Sequence, residues 1–502
     1  MRSAKGSKNS VRFEPIEGQG HSWLVVGRRF GRRDPRPGRE SLRTLGVILA
    51  LLLQITLPVF VWAETGSTAA FSAPGVAGIG PANAGEKPAW LGELSLTLKE
   101  SYDNNVFLAG AAPNALPPSY TVPPGSVAAL KDESSWVTTV SPKIAFDAAS
   151  FAGAEWCKTL SLTYAPDFSF YHNTSSETFE AHRFLASAKA KSDTYSLSVD
   201  DTFAYVHGND LGPFYPGNLL SAIGIAAPRE RREQIQDRGA LALEYTLGHW
   251  FIRPVASLLY YDLMSFQTNV TGYMNYVDRY DINGGADLGY HLGPELAAWL
   301  GHRYGYQYQE KLNFSLYSSS GNYQRVLAGI CGHPWRWLEF HLQGGPDFRD
   351  YPEDTATHIT PVNDKHLVTY YGEASVTIKP TPKDTVTFKY KQFLWVSSIG
   401  KVPYFDSCYV LSYQRPLIGR LSCDLAGKLL SGDYTVGNLS ACQRDDLQYT
   451  ISVGLGYALG KHANLSFAYS LDLGRNGLNG IPRPEAREYD HNLFSLGGSL
   501  KF

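Results

Sequence analysis

From Trp90 to the C-terminus, apolar residues recur at every second position. Residues 447–459 are the clearest case. Leu447, Tyr449, Ile451, Val453, Leu455, Tyr457 and Leu459 share one face, and Gln448, Thr450, Ser452, Gly454, Gly456 and Ala458 share the other. A period of two marks a strand, because successive Cβ atoms of extended chain point to opposite faces of a sheet. Residues 464–473 repeat the pattern, with Leu465, Phe467, Tyr469, Leu471 and Leu473 opposite Asn464, Ser466, Ala468, Ser470 and Asp472, and residues 160–170 do so again. Two strands are irregular. Asp201 interrupts the apolar face of its strand, and the phase slips after Lys391, where Phe393 and Trp395 leave the face of Val386, Phe388 and Tyr390; a β-bulge would account for the slip.

The connections between these segments alternate in length. Long ones, such as 103–133, 207–235, 349–363 and 475–487, take turns with short ones, such as Gly248-His249, His333-Pro334, Arg415-Pro416 and Gly460-Lys461. One end of the sheet therefore carries tight turns and the other carries loops. A membrane-spanning barrel has this form, since an open sheet edge cannot exist in hydrocarbon and the sheet must close on itself. A water-soluble propeller would show blade repeats of about 40 to 50 residues, and the repeat here is a hairpin. The expected fold is all-β, a transmembrane antiparallel up-and-down β-barrel of about 16 to 18 strands, with 18 the preferred count. Aromatic residues make up 13% of the chain, against only 3 Met, which suits strands better than long helices.

The net charge of −2 averages two unlike parts. Residues 1–63 hold 11 Lys and Arg against 4 Asp and Glu, whereas the rest holds 34 against 43. An acidic main part argues against nucleic acid as a partner. The basic front runs into the apolar stretch Leu45 to Leu53 and ends in Val61-Trp62-Ala63. We read 1–63 as a signal peptide with a long basic front and 64–89 as a flexible periplasmic lead-in, with the barrel at 90–502. A single membrane anchor is the alternative for the apolar stretch. The five cysteines show no CxxC or metal-ligand spacing. If Arg415-Pro416 is a two-residue turn, Cys408 sits opposite Cys423, which would allow a cross-strand disulfide.

Two stretches bear a resemblance. The final "FSLGGSLKF" resembles the C-terminal signature of bacterial outer-membrane barrels, matched by Phe494, Leu496, Leu500 and Phe502. The front, "LSLTLKESYDNNVFLAG" followed by "SSWVTTVSPKIAF", resembles the porin-like outer-membrane β-barrel family, through Asp103, Asn104, Asn105, Val106 and Phe107 and through Ser141-Pro142. The resemblance is clear over the first part of the barrel and architectural afterwards. It implies an outer-membrane channel, assembled into the membrane by the barrel-assembly machinery and surrounded by lipid and lipopolysaccharide, and it names no solute.

A barrel of this size encloses water, so the residues opposite the lipid face are the functional ones. Candidates lining the pore are Glu373, Lys379, Lys389 and Asp472, which carry both signs of charge and predict no clear ion preference. Any one of them also fits a merely solvated polar face. The connection 207–235 holds the apolar "NLLSAIGIAA" and then Arg229, Glu230, Arg231, Arg232 and Glu233. It reads first as a surface loop or a contact between protomers; the alternative is an inward constriction, with guanidinium groups facing carboxylates across the pore. Trp250, Trp335, Trp337 and Trp395 are candidates for interfacial girdles. No catalytic motif stands out and no cofactor is expected. The expected function is passive diffusion of small hydrophilic solutes, with a homo-oligomer allowed. The alternatives are a barrel that exports or anchors surface polysaccharide and an outer-membrane hydrolase.

Overall fold

The computed structural model describes residues 88–108, 133–149, 157–208, 231–264, 278–310, 319–352, 366–396, 403–433, 444–478 and 489–502. The signal segment, nearly all of the lead-in, Arg229, Glu230 and Cys442 lie outside the described residues. The strands are β1 (Leu91–Asp103), β2 (Ser135–Asp147), β3 (Cys157–Tyr164), β4 (Asp167–Tyr171), β5 (Phe179–Lys191), β6 (Tyr195–His207), β7 (Gln234–Leu247), β8 (Trp250–Leu263), β9 (Arg279–Gly293) and β10 (Leu296–Gln309). They continue as β11 (Gly321–Trp335), β12 (Leu338–Asp350), β13 (His366–Ile378), β14 (Thr385–Val396), β15 (Pro403–Pro416), β16 (Leu421–Asp433), β17 (Arg444–Ala458), β18 (Ala463–Leu478) and β19 (Tyr489–Lys501).

Every strand pairs antiparallel with its neighbours, and β1 closes the sheet onto β19, from Ser95 opposite Lys501 to Asp103 opposite Leu493. β3 and β4 occupy one place in the ring, since both pair with β2 and with β5. They are one strand broken at Ala165-Pro166, where proline has no N–H to give the ladder. The wall therefore has 18 strands.

Outward positions carry the apolar belt expected from the period-two pattern. Leu98, Leu288, Leu300, Ile451 and Leu496 are all more than half exposed, which in water would be costly and in lipid is favourable. Trp250, Trp335 and Trp337 lie at the short-turn rim, with the last two stacked at 5.3 Å between ring centroids. At the tight turn between β7 and β8, Gly248 adopts φ 63°, a conformation that a side chain would strain.

Three expectations fail. β15 and β16 are joined by a longer turn than Arg415-Pro416, so Arg415 pairs with Cys423 and Cys408 with Leu430, and no disulfide joins the two cysteines. No bulge follows Lys391, because the β14–β15 register runs unbroken from Thr385–Gln414 to Val396–Pro403. Trp395 belongs to no girdle. It is buried on the inner face with Phe393, because the end of β14 enters the barrel.

Candidate functional site in the barrel lumen

The inward positions of β8 to β13 carry a ladder of charged side chains. Arg253 on β8 stands opposite Asp287 on β9, with Nε and Nη2 each 2.9 Å from its Oδ2. From the other side, Arg303 on β10 donates through Nη1 to Asp287 Oδ1 at 2.7 Å. One carboxylate, 1% exposed, thus holds two guanidinium groups, and the hydrogen bonds offset the cost of removing it from water. Beside this group is a cavity of about 260 Å³, lined by Glu244, Asn283, His341, Gln343 and Glu373 as well as Arg253 and Arg303. Glu373 Oε2 accepts from Tyr371 at 2.6 Å and from Gln343 at 3.0 Å.

A second polar group lies nearer the end that bears the long connections. Asp281 accepts from Tyr323 and from Gln307, each at 2.7 Å. Asp347 accepts from Arg325 at 3.2 Å and from Arg349 at 2.6 Å. Arg325 lies between the rings of Tyr323 and Tyr371, at 4.2 and 4.6 Å from their centroids. Gly305 makes room for the Tyr323 ring, since a Cβ there would come within 2.3 Å of it.

These groups hold a piece of backbone. β14 pairs with β13 only as far as Gln392 opposite Gly372, yet stays paired with β15 to Val396. The ends of β14 and β15 that leave the wall pack across the lumen. Leu394 O accepts from Gln307 at 3.1 Å and Arg349 at 3.0 Å, and Val396 O accepts from Arg279 at 2.8 Å. Phe393, Trp395, Val396 and Tyr404 form an apolar cluster there with Tyr261, Leu263, Leu327 and Tyr371. Charge and aromatic surface together narrow the lumen on this side.

The residues expected from sequence fall in different places. Glu373 lines the cavity, and Lys389, opposite Ser375 and Val410, is exposed on the inner face of β14. Lys379 lies past the end of β13, where its N–H donates to Trp337 O at 2.7 Å. Asp472 joins a network at the seam of the barrel. Its carboxylate meets Nδ1 of His491 at 3.1 Å, and Asp103 meets Nε2 of the same ring at 3.0 Å. Asn104 and Asn105 extend that network, the first accepting from the N–H of Asn492 and the second donating to Asp490 O. Val106 and Phe107 are buried beside it, and Ser141 bonds Asp167 while Pro142 lies opposite Leu96 on β1.

Arg231 and Arg232 do face a carboxylate, but it is Glu177 at the β4–β5 turn, and Arg231 also donates to Val106 O. Burial opposes charge on Arg231, while Tyr171 and Glu177 more than compensate and raise its pKa. Arg231 thereby ties the base of its connection to the Asp-Asn-Asn-Val-Phe segment. Glu233 lies 3.7 Å from His207. Sequence reading missed Arg253, Asp287, Arg303, Arg325, Asp347 and Arg349. Their signal was the polar phase of strands already assigned, but alternation alone does not tell which inward charges meet.

A closed sheet that is apolar outside and charged inside is a form suited to one setting. The molecule is a closed antiparallel β-barrel of 18 strands, built to span a membrane. No family model matches the chain, and no curated protein matches its sequence. Among solved structures, the barrel is similar to Pseudomonas aeruginosa OpdO, with 14% identity, 82% of this chain and 97% of that chain covered, and a TM-score of 0.40. It is also similar to OccK2 (OpdF) of the same organism, solved with glucuronate, at 12% identity, 82% and 98% coverage and a TM-score of 0.39. The outer membrane protein OpdK gives 11%, 82%, 99% and 0.37.

Proposed function

We propose that the barrel is a channel for passive diffusion of small hydrophilic solutes across the outer membrane. The cavity of about 260 Å³ inside the lumen carries this reading, because its lining offers both carboxylates and guanidinium groups to a hydrated solute. The inward ends of β14 and β15 weigh for small solutes over a polymer, since an extended polysaccharide would have to pass beside Phe393 and Trp395. Asp287 and Asp347 are each engaged with two arginines, which suits a lining that guides solutes better than a site that transforms them.

The test is single-channel recording of the refolded protein in a planar bilayer. Discrete, long-lived conductance steps are expected. A barrel that is folded by its heat-modifiable gel mobility yet passes no current would overturn the reading.

A further inference from the structure

Asp201, which breaks the apolar alternation of its strand, faces outward with Phe203. The register places it opposite Gly239 on β7, and it leans over the missing side chain, so that a Cβ there would meet its Oδ1 at 3.4 Å. Asp237 shares this outer face of β7, within hydrogen-bonding reach of the Asp201 carboxyl. Its Oδ1 is buried with no hydrogen-bond partner among the described residues. Asp201 is six residues from the loop-side end of β6, at a depth where the neighbouring strand β5 presents Phe184 to lipid. Acidic groups on the lipid face at that depth are costly unless something meets them.

Four strands along the wall, β10 carries His302 on its outer face, exposed between Leu300 and Tyr304. It is seven residues from the loop-side end of its strand, and so close to the depth of Asp201. Between the two, the outer faces of β7 to β9 carry Gly239, Pro254, Ala256, Gly284 and Ala286, where other strands carry Leu, Phe or Tyr. We propose that this face is the contact between two copies of the chain, related by a two-fold axis along the membrane normal over β8 and β9. A two-fold axis exchanges the two sides of such a patch, so each His302 is set against the Asp201–Asp237 pair of the other copy. Convex walls touch first at the axis and diverge from it. Small residues therefore belong at the centre and polar side chains with reach at the flanks, which is their order here. In hydrocarbon, an imidazole N–H donated to a carboxylate satisfies both groups, and neither has a water to turn to.

The test uses the full chain refolded into phospholipid nanodiscs, with heat-modifiable mobility confirming the fold of each variant. Native mass spectrometry should show two chains per particle, and Ala256→Cys should give a disulfide-linked dimer that wild type does not. His302→Leu should raise the dimer dissociation constant roughly tenfold, as expected when the two symmetry-related polar contacts of the dimer are both lost in a membrane. The exchange variant Asp201→His with His302→Asp should recover the dimer. A monomeric wild type, or a dimer fraction unchanged in His302→Leu, would overturn the proposal. A monomer retaining bound lipid would do so too, and would assign the carboxyls to a lipid headgroup. Ala256→Cys touches neither acid, so the crosslink stands even where the Asp201 variant does not fold.

Discussion

At the scale of single residues, the lumen is organised by side chains that each serve more than one partner. Asp287 joins Arg253 to Arg303, Asp347 joins Arg325 to Arg349, and His491 joins Asp103 to Asp472. Removing the shared member is therefore more harmful than removing either end. Asp287→Asn leaves the buried Arg303 guanidinium facing a neutral amide and Arg253 with only Glu244, 3.7 Å away, an expected cost of about 3 kcal/mol, read from the denaturant midpoint of the refolded barrel. Where the variant is folded, the excess positive charge should move the reversal potential in a salt gradient toward anions. An unchanged reversal potential would show that Asp287 does not border the conducting path. Of these residues, Asp103 and Asp472 were visible in sequence, one through a motif and one through its phase. Asp287 and Asp347 were not, because a lone Asp on a polar face looks the same whether it meets water or two arginines.

At the scale of elements, β14 is the informative strand. Its sequence changes phase after Lys391, and the ladder with β15 stays in register through that point. What changes is the surroundings. Past Gln392 the strand has left β13, so side chains that would have faced water in the lumen meet an apolar cluster instead. The sequence signal was thus correct in position and wrong in cause, since a bulge and an inward turn both place aromatic residues on the opposite face. The two donors on Leu394 O are the accessible handle. Gln307→Ala combined with Arg349→Ala should weaken the hold on this strand end by about 2 to 4 kcal/mol, and single-channel traces should become larger and noisier. A trace identical to wild type would mean that the apolar cluster holds the strand end unaided.

At the scale of the whole molecule, closure depends on the C-terminus. The N–H of Phe502 donates to Leu94 O at 2.8 Å, and its ring is exposed on the lipid side with those of Phe494 and the side chains of Leu496 and Leu500. Deleting Phe502 removes one ladder bond and one lipid-facing ring, while the lumen residues stay in place. The yield of heat-modifiable barrel in cells should fall by far more than the conductance of those barrels that form; an equal fall in both would place Phe502 in the pore. Alternation, turn spacing and the two motifs determined the architecture from sequence alone: a closed antiparallel sheet of about 16 to 18 strands and which of its faces meets lipid, while the ring itself sets the count at 18. These follow from local geometry, because a period of two and a short turn constrain only residues that are near in sequence or directly paired. The tertiary structure alone decided that β14 and β15 fill part of the lumen, that Arg231 meets Glu177 and not a carboxylate across the pore, and that Asp287 gathers two arginines. Those contacts join strands that do not pair, across a space whose shape is set by the whole ring.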